Sequence, residues 1–274
     1  MTLKYVDDLS ILQALNLRNT VKEEVSQRQF PLNFNERTMH FLPTEDNQLQ
    51  QTLLDLETFT VDKHMKIKER KTNLMKFNFS LKYDFPPELH LNGFKDDIEV
   101  VKEAKLLGII LTDDLKWVAN TNYICVKAYK KIWILRRLKV LKVDQDILLD
   151  VYCKEIRSVL EVAVPAWHSG LNTKQIIQIE RVQRVAVSVI LGKSNIKYVD
   201  ALELLGLEVL NVRRERLCAN FALRTLKSRH TSMFEKNASI YNLRQPKVFK
   251  EHLAHTKRFF MSPLNYLTRL LNEV

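Results

Sequence analysis

Apolar and polar positions change their rhythm once along this chain of 274 residues. Up to about residue 115, short apolar runs are split by turn-forming residues. Leu3 to Val6 is a brief extended run, Asp7-Asp8 a turn, and Leu9 to Leu12 can extend again, which predicts a broken hairpin over 1–12. Residues 13–45, with Pro31 and Pro43, show no clear period. Leu49, Leu53 and Leu56 recur on one helical face with Phe59 beside them, predicting a helix over 46–62. Strands are expected over 71–79, 88–92, 97–101 and 105–112, separated by Pro86-Pro87 and the Asn92-Gly93 turn.

From Trp117 onward the period is helical. A first amphipathic helix covers 118–142, its apolar stripe formed by Ala128, Ile132, Leu135 and Leu138. Asp144 is placed to cap a second helix with the stripe Ile147, Val151, Ile156 and Leu160, which Pro165 should end. Thr173 is placed to cap a third, with Ile176, Ile179, Val182, Ala186 and Val189 inward and Gly192 as its stop. A fourth covers roughly 208–229. There is no internal repeat. The expected class is α+β, with mixed strand and helix over 1–115 and helices alone over 116–274.

Composition adds that 46% of residues are hydrophobic and 27% charged, as in ordinary globular chains. A net charge of +11 favours polyanionic partners, nucleic acid first. A merely basic protein is the plainer alternative. Cys125, Cys153 and Cys218 stand far apart, without metal-ligand spacing, and fit a reducing intracellular setting, nucleus or cytoplasm. No apolar run reaches membrane-spanning length, so no membrane partner is expected. Met1-Thr2-Leu3-Lys4 is not a signal peptide, and the chain enters an extended run at once, as a sequence starting inside a longer protein would.

Tyr5-Val6-Asp7-Asp8 is the first candidate for chemistry. Adjacent carboxylates at a turn repel unless cations neutralise them. Two-metal phosphoryl transfer uses such a tip, with ions about 3.5–4 Å apart. An ordinary acidic turn is the plainer reading of the tetrapeptide alone.

The second candidate is the basic helix. Between Trp117 and Lys142 lie Lys127, Lys130, Lys131, Arg136, Arg137, Lys139 and Lys142, and no acidic residue. One face can pack while the other follows a phosphate backbone, with Tyr129 and Trp133 as nearby aromatic surface. A solvated helix face is the alternative. Arg181, Arg184, Arg213, Arg214 and Arg216 either extend this track or solubilise the bundle. Trp117, Trp133 and Trp167 are expected to fill the core. The spacing of His252-Leu-Ala-His255 allows two imidazoles on one helix face, but an adjacent glutamate base and a third ligand are lacking, so surface histidines are the expectation. No glycine-rich phosphate loop and no Ser-His-Asp arrangement is present.

These pieces occur in a recognisable order. After the acidic hairpin and a helix come Lys71-Thr72-Asn73-Leu74-Met75-Lys76-Phe77, then Leu106-Leu107-Gly108-Ile109, Asp114-Leu115 and Trp117. Arg137-Leu138, Glu155 to Ala163, Pro165-Ala166-Trp167-His168 and Ile179-Glu180-Arg181-Val182-Gln183-Arg184 follow. The series resembles the reverse transcriptases of Jockey- and CR1-type non-LTR retrotransposons, from the catalytic hairpin through the thumb, over nearly the whole chain.

The resemblance implies a partial palm, with a β-hairpin, short antiparallel strands and a helix, followed by an all-α thumb and connection bundle. It implies that Asp7 binds metal and Asp8 supports it, with Mg²⁺ or Mn²⁺ as the cofactor. Tyr5 would pack near the primer end or template, Lys71 near the incoming deoxynucleoside triphosphate, and Leu107-Gly108 would form the primer grip. Lys127, Lys130, Lys131, Arg136, Arg137 and Lys139 would hold an RNA template paired with a DNA primer. The family's upstream metal-binding aspartate, its Phe-Asp and Pro-Gln-Gly elements and its fingers are not in this sequence. The expectation is therefore a polymerase fragment inactive alone, whose partner would be that missing half. A nucleic-acid-binding helical module without catalysis is the alternative, and a non-functional translated fragment a third reading. The stretch 118–165 also resembles a helical segment of AlkB-like DNA-repair proteins, but no His-X-Asp iron-binding pair accompanies it.

Overall fold

The computed structural model describes residues 4–5, 46–68, 72–77, 98–192, 196–228, 232–237 and 247–273. The chain divides into two compact units, Met1–Leu107 and Gly108–Val274.

In the first unit, α1 (Asp46–Asp62) carries the expected apolar face, with Leu53 and Leu56 buried and Phe59 half-buried. Strand β1 (Lys4–Tyr5) pairs with β2 (Met65–Lys66), and β3 (Asn73–Leu74) with β4 (Glu99–Val100). Both pairs are parallel, which corrects the antiparallel expectation for them. Parallel neighbours require a long crossover, and the connection from β1 to β2 contains α1. The remainder of the expected hairpin, residues 6–12, and the expected strand 88–92 lie outside the described residues.

Strand β5 (Glu103–Leu106) leads to β6 (Ile109–Thr112) through Leu107 and Gly108, with φ of 47° and 92°. Two consecutive left-handed residues are the geometry of a tight two-residue hairpin turn, and glycine enters it without steric cost.

The second unit is built on α2 (Val118–Val140) packed along α6 (Thr173–Leu191). The seam of α2 is Ile124, Cys125, Ala128, Ile132 and Leu135, all buried. Asn120 Oδ1 accepts from the backbone N–H of Ile110 at 3.1 Å, tying β6 to this helix. Ahead of α2, Asp114 accepts from the Thr112 hydroxyl (2.8 Å) and from the Lys116 backbone N–H (3.1 Å). Asp114 is held at a pKa of about 2, chiefly by the Lys116 side chain 2.8 Å away. Trp117 is buried, and a Cβ on Gly170 would lie 2.7 Å from its indole, so that glycine leaves the space the ring fills.

The second expected helix is three segments. α3 (Gln145–Val151) runs into a π-helical stretch over Tyr152–Arg157 and then α4 (Ser158–Leu160). Asp144 occupies the N-cap position without a side-chain bond. The buried stripe is Leu148, Tyr152, Ile156 and Leu160; Val151 is half-buried and Ile147 is 52% exposed, which corrects the expected stripe. A four-residue spacing drifts by about 40° per step on an α-helix. The wider π turn rotates it back, so positions four apart stay on one face.

The helix ends before the proline, at Glu161 to Ala163, where Ala163 takes a φ of 51°. Pro165 instead sits in the first turn of α5 (Val164–Trp167), where a missing N–H costs no helical bond. A 3₁₀ turn over His168–Gly170 follows.

α6 is capped by Asn172 rather than Thr173. The Gln175 N–H donates to Asn172 Oδ1 (3.0 Å), and the Asn172 N–H donates to Gln175 Oε1 (2.8 Å). Gly192 closes the helix at a φ of 65°, as its position predicted. Then come α7 (Tyr198–Leu204), α8 (Leu210–Leu226), α9 (Lys257–Phe260) and α10 (Pro263–Glu273), the last packed on α8 and α5. Residues 251–256, including His252 and His255, are not helical.

A polar hub joins α6, α7 and α8 to the π segment. The Tyr152 hydroxyl donates to Gln183 Oε1, and Gln183 Nε2 donates to the Tyr198 hydroxyl (3.0 Å) and the Glu208 carbonyl (3.0 Å). Glu180 accepts from the Tyr198 hydroxyl and, at 3.1 Å, from the first backbone N–H of α8, Leu210. An acidic group there satisfies a helix-end donor and faces the positive end of the helix dipole.

Candidate nucleic-acid interface

The absence of acidic residues from α2 lets its burial pattern sort its cations into two sets. Ala128, Ile132 and Leu135 point inward, with Leu138 half-buried at the margin. The opposite arc carries Val126, Tyr129, Lys130, Trp133, Arg136, Arg137 and Val140, all exposed. Lys127 is exposed beside them, with its ammonium 6.0 Å from the centre of the Tyr123 ring. The Arg137 guanidinium lies 5.8 Å from the centre of the Trp133 ring. Among the described residues, no acidic side chain pairs with Lys127, Lys130, Arg136 or Arg137.

Lys131 and Lys139 are otherwise engaged. Lys131 Nζ lies 2.6 Å from Glu155 in the π segment. Lys139 Nζ donates to the carbonyl of Ile190 at 2.7 Å, where the last turn of α6 has carbonyls without helical partners. A cation at a helix C-terminus also meets the negative end of its dipole.

The arginines further along do not form one free track. Arg213 pairs with Glu161, with Nε and Oε1 2.5 Å apart, and lies 3.4 Å from Glu208; Arg216 also pairs with Glu208. Arg214 is 0% exposed. Arg181 and Arg184 are exposed on α6, with the Arg184 guanidinium 4.7 Å from the centre of the Tyr198 ring.

Of the tryptophans, Trp117 and Trp167 fill the core as expected, whereas Trp133 is 63% exposed, a correction. Its outward position had a sequence signal. The residues three and four away on either side are Tyr129, Lys130, Arg136 and Arg137, none of them aliphatic.

Tyr5 lies in β1, while Asp7, Asp8 and Lys71 fall outside the described residues. Leu107 is exposed, and nothing lies within 4 Å of where a Cβ on Gly108 would stand, so the turn is open on that side. Among the described residues, no group of three or more His, Cys, Asp or Glu side chains could hold a metal ion. The magnesium expectation rests on Asp7 and Asp8 alone. The three cysteines are free, and burial pushes the thiols of Cys125 and Cys218 up to about 11 and 12, so both stay protonated. Among the described residues, no helix is long and apolar enough to cross a membrane.

Comparison of the chain with family models, with curated proteins and with solved structures finds no match.

Proposed function

We propose that this chain is a fragment of an RNA-directed DNA polymerase of the non-LTR retrotransposon type, and that its helical unit holds an RNA–DNA duplex through the phosphates. The carrying observation is the outward face of α2, where Lys127, Lys130, Arg136 and Arg137 stand exposed with no acidic partner among the described residues. Cations so placed displace counterions from a nucleic-acid backbone and read shape rather than sequence. The ordered series from Tyr5-Val6-Asp7-Asp8 to Arg184 supports the polymerase assignment.

A binding module without catalysis is the second reading, and it needs only the helical unit that carries these cations. Binding of the full chain to an RNA–DNA duplex should be independent of magnesium and fall with salt. Four neutralised phosphates give a slope of log K against log salt of roughly −4. Charge reversal at Arg136 and Arg137 should weaken binding and flatten that slope by about 2. An unchanged slope would remove α2 from the interface. By the first reading the chain alone should give no magnesium-dependent primer extension, and templated synthesis above an Asp7→Ala control would overturn its being inactive alone. Salt-dependent duplex binding without any dependence on magnesium favours the module.

A further inference from the structure

Trp133 stands in the middle of the exposed arc of α2, flanked by Tyr129 and Lys130 one turn before it and by Arg136 and Arg137 one turn after. At 63% exposure its indole contributes little to the core, unlike Trp117 and Trp167. Its neighbours hold cations on both sides of the ring, and one of them, Arg137, lies 5.8 Å from the ring centre. A duplex keeps its base faces inside its own stack, so it can engage the cations but not the indole. An unpaired nucleotide can engage both, because every base offers a flat face to stack and a phosphate at each side.

We propose that Trp133 stacks on an unpaired nucleobase, so that this face takes a single-stranded segment continuous with a duplex. The proposal rests on the nucleic-acid reading of α2 and names the substrate class within it. The occupant is nucleic acid rather than a protein surface, because three cations lie within about one turn of Trp133 and α2 carries no acidic residue.

The test is tryptophan emission of the full chain, titrated with a blunt RNA–DNA duplex, the same duplex with a single-stranded extension, and the single strand alone. Trp117 and Trp167 are buried, so contact quenching reports Trp133. The extension should quench emission and tighten binding about tenfold or more over the blunt duplex. Trp133→Ala should abolish that gain while leaving blunt-duplex binding and the circular dichroism spectrum unchanged, and Trp133→Phe should keep most of it. If the blunt duplex binds but the extension adds nothing, or the gain survives Trp133→Ala, stacking is refuted and the duplex reading stands. If no nucleic acid binds at low salt, the duplex reading and the proposal fall together.

Discussion

Arg214 donates from Nε to Nδ1 of His168 at 3.3 Å inside the helical unit. The guanidinium is 0% exposed, lies 6.0 Å from the centre of the Trp167 ring, and has no partner for Nη1 or Nη2 among the described residues. The bond requires Nδ1 to accept, which places the proton of the neutral imidazole on Nε2. Burial first, and the Arg214 charge second, push His168 from 6.5 down to about 4. Burial also lowers Arg214, opposed by the carboxylates of Glu180 and Glu161.

The sign of the pH dependence follows. The unfolded chain protonates His168 near pH 6.5 and the folded chain only near 4, so the unfolded state binds more protons between them. The stabilisation is complete above pH 6.5 and is lost as the pH falls towards 4, amounting to about 3 kcal/mol at that end. Urea unfolding at pH 7.5, 5.5 and 4.5 measures it. His168→Gln keeps an acceptor for Arg214 without titrating, and should lose most of this pH dependence. An equal dependence in that variant would assign it to other groups.

Gln183 is the second point of sensitivity. Gln183→Leu keeps the side chain's bulk but leaves the Tyr152 and Tyr198 hydroxyls and the Glu208 carbonyl each short of a partner. Such losses cost about 1–3 kcal/mol for each buried group left unsatisfied, so with three groups affected a drop of about 3 kcal/mol or more in unfolding free energy is expected. Adding Tyr152→Phe to Gln183→Leu should cost less than the two single changes summed, because the orphaned hydroxyl is removed. Strict additivity would mean that the two side chains do not share a bond.

Adjacent residues test the π segment. Leu148 is wholly buried while Ile147 faces solvent. Leu148→Ala should cost about 2–5 kcal/mol, and Ile147→Lys should change stability by no more than about 0.5 kcal/mol. The reverse ranking by thermal melting would restore the regular helix and its expected stripe.

Leu53 and Leu56 on α1, the inward stripe of α2, the stop at Gly192 and the strand-to-helix change near Trp117 all follow from periodicity and turn chemistry. Some of the corrected expectations were decided by neighbours distant in sequence. Lys131 and Lys139 read as free cations until Glu155 and the end of α6 came against them. Arg213 and Arg216 stood open between extending the basic track and solubilising the bundle until they met Glu161 and Glu208.

By itself, the sequence determined where helices form, which of their faces are apolar, and that α2 carries cations without acids, because these depend on residues within a few turns of one another. Only the tertiary structure decided which cations are paired, and that Arg214 lies buried against His168. Ion pairing and burial depend on groups tens of residues apart in sequence, and packing alone brings those together.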